Sequence, residues 1–233
     1  MKKFGLSFLF LCLSWAALGQ SGEVVNRLNS QGQKEGLWVK YYDGSKGMRY
    51  AGQFSNGIPV GTFVHYHPNG VVKAEMVYRA KTGVCRAREY SMEGKRIAEG
   101  VYTSQSTKDS VWVYYRQSGE KIQVESYEKG LSQGVWNLYY LNGNCSETHT
   151  YTQGKKEGPW VQYFDNGQLK WRGNYLNDTL NGPVESFDWE GKILFKGEYK
   201  NGLPSGTWTF FENGKVVRQE VYRSGKRIKS KTF

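Results

Sequence analysis

Few residues of this 233-residue chain are suited to chemistry, with three histidines and three cysteines in all. His65-x-His67 would project two imidazoles from one strand face, an arrangement that could hold a metal with Glu75 or Glu89. Both histidines, however, fall at positions that hold Lys40 and Tyr42, Leu138 and Tyr140, or Gln162 and Phe164 in other turns of a repeating pattern. They read as ordinary substitutions. A thiol nucleophile at Cys85 or Cys145 would need a base such as His149 within hydrogen-bond reach. Cys145 and His149 share one strand at an even spacing, hence one face, but lie about 13 Å apart along it. No glycine-rich phosphate loop precedes a helix. The expectation is a non-enzymatic chain with no metal, no cofactor and no small-molecule substrate.

What the sequence does carry is a repeat, the first thing to look for because missing it mis-assigns the fold. One aromatic ladder runs Tyr41, Tyr66, Tyr90, Tyr115, Tyr139, Tyr163, Phe187, Phe211, in steps of 24 or 25 residues. Three residues earlier stand Trp38, Phe63, Ala87, Trp112, Trp136, Trp160, Val184 and Trp208. A second ladder, Phe54, Tyr78, Tyr102, Tyr127, Tyr151, Tyr175, Tyr199 and Tyr222, follows half a repeat later. Two aromatic anchors per unit imply two strands per unit, and no helical hydrophobic period competes over residues 21–233.

Turn residues separate the ladders. Asn69-Gly70, Asn142-Gly143, Asn166-Gly167 and Asn213-Gly214 lie between them, which predicts type I′ hairpin turns with positive φ at both residues. The return connections are Gly-x-x-x-Gly segments such as Gly57 to Gly61 and Gly202 to Gly206, whose polar fillings mark turns. The fold class is therefore all-β: an elongated antiparallel meander of about eight stacked β-hairpin repeats, single-layer and solenoid-like. About sixteen strands at about 4.8 Å give a length on the order of 75 Å.

The N-terminus sets Lys2 and Lys3 before an apolar run from Phe4 to Leu18 and small residues at Ala16, Ala17 and Gly19. That layout predicts a cleaved signal peptide over 1–20, too short to span a bilayer. Residues 21–35 read as a capping half-repeat, 36–228 as eight repeats, and 229–233 as a basic tail blunting the sheet edge. The whole chain carries +11, from 32 Lys+Arg against 21 Asp+Glu; losing Lys2 and Lys3 leaves 30 against 21, or +9. Basic residues beside acids, as in Lys34-Glu35 and Lys155-Lys156-Glu157, suit a solvated surface.

The units Gly158-Pro159-Trp160-Val161-Gln162-Tyr163-Phe164-Asp165-Asn166-Gly167 and Gly197-Glu198-Tyr199-Lys200-Asn201-Gly202 resemble MORN-repeat proteins, specifically the bacterial MORN-variant branch, over about residues 32–228. The resemblance implies a hairpin-stacked sheet and a role in scaffolding, protein binding or membrane attachment. Some relatives are labelled antitoxins, whose cytoplasmic partners an exported chain would not meet. The expected function is an exported binding or scaffold module of the periplasm, outer envelope or surroundings, with a protein partner favoured. Anionic lipid or glycan is the alternative, and nucleic acid is disfavoured. The candidate surface or structural rings are Trp38, Tyr41, Phe63, Tyr66, Trp112, Tyr115, Trp136, Tyr139, Trp160, Tyr163, Trp208 and Phe211. Two local expectations follow. Ala87 in a tryptophan position predicts a weaker, bent joint at the third copy. Cys85 and Cys145, five strand steps apart, should not bridge.

Overall fold

A computed structural model describes residues 24–79 and 82–233; the expected signal peptide lies outside them. Among the described residues all twenty elements are β-strands of one open antiparallel sheet. Each strand pairs with its neighbour in sequence, from Arg27–Leu28 on Lys34–Tyr41 to Lys215–Arg223 on Lys226–Thr232. Leu131–Ser132 and Thr179–Leu180 are the leading ends of Gly134–Tyr139 and Gly182–Phe187 and lie on the same neighbours. Counting each with its continuation leaves eighteen strand rows, about 80 Å of sheet. The segment 229–233 is no separate tail, since it continues the final strand Lys226–Thr232.

The turn types are exchanged relative to expectation. At Asn69-Gly70 only the glycine has positive φ (83°), His67 N–H bonds the Val71 carbonyl, and Gly70 N–H bonds the His67 carbonyl. That is a type I turn closed by a glycine bulge, with a longer loop than I′. Asn142-Gly143 and Asn166-Gly167 behave alike, and only Asn213-Gly214 has both φ values positive. The two-residue I′ turns sit instead in the return connections, at Asn56-Gly57 (φ 49° and 76°), Lys129-Gly130, Gln153-Gly154 and Asn201-Gly202. The asparagine of the longer loop takes another task. Asn69 Nδ2 donates to the Met92 carbonyl, Asn142 to that of Asp165, and Asn166 to that of Trp189, stitching each hairpin tip to the next.

After the return turn the new strand carries extra residues in six of the seven connections between hairpins. Ala51 pairs with Val64 and Gln53 with Val60, so four steps on one strand meet two on the other. Gly61 inside this bulge has φ 65°, a value that suits glycine. The bulge drops the next ring onto a side-chain-free floor: a Cβ at Gly52 would lie 2.3 Å from the Phe63 ring, and one at Gly100 or Gly197 would lie 2.3 Å from Trp112 or Trp208. The repeat thus buries its rings against the preceding hairpin rather than under a second layer.

The third joint departs from the others differently than expected. Strands Val72–Tyr78 and Cys85–Tyr90 pair without a register shift, since Ala87 has no ring to seat. Burial is not lost there. Ala87, Ala98 and Trp112 are all buried, with Met76 and Tyr102 leaning over the gap that the missing ring leaves.

Candidate functional site

Trp38 and Tyr41 are three residues apart on one strand, so they face opposite sides of the sheet. The twelve candidate rings therefore do not form one surface. Trp38, Phe63, Trp112, Trp136, Trp160 and Trp208 lie on one face with the second ladder. Tyr41, Tyr66, Tyr115, Tyr139, Tyr163 and Phe211 lie on the other, where Tyr115 reaches Glu99 (2.6 Å), as does the equivalent Tyr90 to Glu75 (3.0 Å).

On the tryptophan face the rings pack on one another. Phe54 and Tyr78 meet Phe63 edge-on at 5.1 and 5.2 Å, Tyr102 meets Trp112 at 4.7 Å, and Trp136 meets Tyr151 at 4.5 Å. Trp112 is 1% exposed. Lysines two residues ahead of the bulge position extend over the rings: Lys34 Nζ lies 4.6 Å from the Trp38 centroid and 4.7 Å from that of Phe54, and Lys108 Nζ lies about 5 Å from Trp112, Tyr114 and Tyr127. The acid beside each lysine accepts from the following turn: Glu35 from Asn56 N–H (2.7 Å), Asp109 from Lys129 N–H (3.0 Å), Glu157 from Asn177 N–H (2.8 Å). The Lys-acid pairs, read from sequence as solvated surface, are structural. Their fixed position before the bulge residue was the signal.

The floor position that is Gly52, Gly100, Gly173 or Gly197 is Met76, Glu125, His149 or Glu220 in other copies, at the same 23- to 25-residue spacing. Glu125 and Glu220 are the polar groups that sequence reasoning overlooked. Buried Glu125 accepts from Tyr127 O–H (2.6 Å) and from Gln123, with Lys108 Nζ at 3.7 Å. Buried Glu220 accepts from Tyr222 O–H and Arg227, each at 2.7 Å, and the Tyr222 hydroxyl with Arg227 and Arg218 holds its carboxyl below the usual range, against the upward push of burial. His149 stacks on Trp160 with planes 7° apart, and its Nε2 lies 2.6 Å from Glu147 Oε1, which also accepts from Trp160 Nε1. Burial, with Lys156 adding to it, pushes the His149 pKa down, against the pull of Glu147.

Among the described residues no group of three His, Cys, Asp or Glu is placed to hold a metal ion. His65 lies beside the Tyr50 ring, while His67 Nε2 contacts the Tyr90 carbonyl at 2.9 Å, so the two do not converge. Cys145 also departs from expectation. A one-residue bulge pairs it with Tyr139 and pairs Glu147 with Leu138, which turns the thiol to the face away from His149. Burial raises the thiols of both Cys85 and Cys145, the wrong direction for a nucleophile.

The second face is different in character. A cross-strand row runs across its middle: Val64, Glu75, Arg88, Glu99, Val113, Val124, Asn137, Thr148, Val161, Arg172, Glu185, Lys196, Thr209. Its centre is uncharged. Val111 and Val135, alongside it, are 50% and 47% exposed.

The family model for the MORN repeat variant matches residues 59–80 and 156–177, a segment of the second hairpin and one of the sixth. Those two matches support reading the repeat as a MORN repeat variant. No curated protein matches the chain. Among solved structures, the crystal structure of a porin-like protein from Bacteroides uniformis ATCC 8492 is 11% identical over 84% of this chain and 92% of that one, with a TM-score of 0.20. That likeness carries no argument. The two matched segments belong to a series in which all eight hairpins share the ladder, and six of the seven return connections between them share the bulge.

Proposed function

We propose that this MORN-repeat chain is an exported, non-catalytic binding module of the cell envelope whose partner is a protein. The observation that carries the reading is the division of labour between the two faces. The tryptophan face is closed by its own rings and lysines, whereas the other face leaves β-branched residues such as Val111 and Val135 open to solvent. An uncharged patch with aromatic and arginine neighbours suits protein contacts. The basic residues that would draw an anionic lipid are partly engaged: Lys34 and Lys108 over rings, Arg88 and Arg172 with carboxylates. Export rests on the leader-like residues Lys2 to Gly19.

The test is crosslinking and pull-down from the native envelope at two salt concentrations, with N-terminal sequencing of the recovered chain. Screening lengths of about 10 Å at 0.1 M and about 3 Å at 1 M separate attraction through scattered charge from contact through apolar surface. The expected result is a chain beginning near residue 20 and one protein partner retained at both salts, then lost from Val111→Glu/Val135→Glu. Capture of lipid or glycan alone, or a chain retaining residues 1–20, would overturn the reading.

A further inference from the structure

We propose that the face bearing Val111 and Val135 is an interface between two copies of this chain, packed face to face about a two-fold axis along strand Gly134–Tyr139. This rests on the reading that the Val111 and Val135 face takes a protein and names that protein as a second copy; a monomer that still captures a different envelope protein through this face would overturn the inference and leave that reading standing. The argument is the charge order of the cross-strand row. Counting strands from Asn137, Glu99, Arg88 and Glu75 lie three, four and five steps to one side, and Arg172, Glu185 and Lys196 lie three, four and five steps to the other.

A rotation of 180° about an axis parallel to the central strand turns the sheet over, keeps positions along the strand, and lays step three of one copy on step three of the opposite side of its mate. Glu99 then faces Arg172, Arg88 faces Glu185, and Glu75 faces Lys196, each twice. All six contacts join opposite charges. An axis in the sheet plane but perpendicular to the strands would lay Arg172 on Arg172 and Glu99 on Glu99. The two-fold along the strand also superimposes the handed twist of one sheet on that of the other, so the twist of the sheets does not separate them.

Within one copy these charges already meet neighbours, Glu99 with Arg88 Nε at 3.7 Å and Arg96 Nη1 at 3.3 Å, and Arg172 with Glu185, yet the Arg88 and Arg172 side chains stay 47% and 59% exposed and free to meet a second copy. Between the charged triplets the row is uncharged over five strands, Val113, Val124, Asn137, Thr148 and Val161, so the interface has an uncharged centre and a charged rim. Ten strand steps at about 4.8 Å and a depth of about four residues give about 650 Å² per copy, close to the roughly 800 Å² per partner of a standard interface. Burial of Val111 and Val135 supplies contact energy, and the triplets fix register and exclude the wrong axis.

The experiment is sedimentation equilibrium of the full chain after processing, up to about 100 μM, above the micromolar-to-picomolar range spanned by standard-size interfaces. Wild type is expected at twice the monomer mass. Glu99→Arg sets Arg against Arg172, and Arg172→Glu sets Glu against Glu99, so each variant alone should weaken association at least tenfold. An equal mixture of the two restores both contacts and should recover the dimer, as should the double variant. Circular dichroism on each variant separates lost association from lost fold; should either variant misfold, Arg88→Glu and Glu185→Arg form an equivalent pair. A monomeric wild type would overturn the proposal, as would folded single variants that still dimerise or a mixture of folded variants that stays monomeric.

Discussion

At the residue scale, the floor position decides how a hairpin meets the next one, either by having no side chain or by carrying one packed among the neighbouring rings and polar groups. A Cβ at Gly100 would meet three Trp112 ring atoms at 2.3 to 2.6 Å, and that ring is buried with nowhere to move. Gly100→Ala should therefore cost about 1–3 kcal/mol, the range for overpacking, read from urea unfolding. Added to Trp112→Val it should cost less than the sum of the two, because the clash needs the ring. A fully additive pair would show that Gly100 matters for some other reason. Where His149 fills the floor, stability becomes linked to pH. Its native pKa is depressed by burial and Lys156, so the unfolded chain binds the proton more readily. The His149 contribution is therefore complete above about 6.5, the unfolded value, and is lost as pH falls through the depressed native value. His65, depressed by burial with Lys73 and Arg49, acts with the same sign. His149→Gly should flatten the change in urea midpoint between about pH 7.5 and about pH 5.5 relative to wild type; an unchanged slope would remove His149 as a source.

At the element scale, the bulge after the return turn is the device that seats a ring, and its backbone calls for positive φ. Gly61 and Gly206 supply it, but the fourth copy uses Ser110 at φ 58°. An L-residue in the left-handed region costs about 1–2 kcal/mol, and Ser110 has only a long 3.4 Å contact to Asp109 in return. Ser110→Gly should raise stability by about 1 kcal/mol, and a loss on that substitution would mean the hydroxyl contact matters more than the backbone. This element also marks how far the sequence could be read. Strand order was legible because Tyr41 to Phe211 recur with a fixed step and pairing follows chain order, whereas the number fell short of the eighteen rows because the ring-poor end strands Arg27–Leu28 and Lys226–Thr232 lie outside the ladders. Turn type was not, because Asn69-Gly70 and Asn56-Gly57 are the same dipeptide, and loop length, set by where pairing stops, selects between them. The division of rings between faces was legible in the spacing of Trp38 and Tyr41. The placement of Cys145 was not, since a one-residue bulge reverses its side. The roles of Glu125 and Glu220 were not legible either, because their partners, Lys108 and Arg227, come from neighbouring strands.

At the scale of the whole molecule, the extensive contacts among the described residues all join strands adjacent in the sheet, so the sheet is held as a chain of joints rather than by one central core. The two cysteines report on this arrangement at different depths. Cys85 is 2% exposed and opens the strand that carries Ala87, beside the buried cluster of Ala87, Ala98 and Trp112; Cys145 is only half-buried. Both thiols are raised by burial, so access rather than acidity separates their reactivity. In the folded chain an aromatic disulfide reagent should modify Cys145 first, and Cys85 only when its joint opens. Because that joint keeps its burial despite the missing ring, Cys85 labelling should follow global unfolding, with the same urea dependence. A shallower dependence would identify the third copy as a separate, weaker opening unit. The same thiols also test the single-layer path. Cys85 lies in Cys85–Tyr90 and Cys145 in Cys145–Thr152, with four strand rows between them, so five steps of about 4.8 Å separate them by about 24 Å. A disulfide spans at most about 7 Å between Cα atoms. Under oxidising conditions the non-reduced monomer should yield peptides with both cysteines unlinked, and a mapped Cys85–Cys145 bridge would require the sheet to fold back between its third and fifth hairpins.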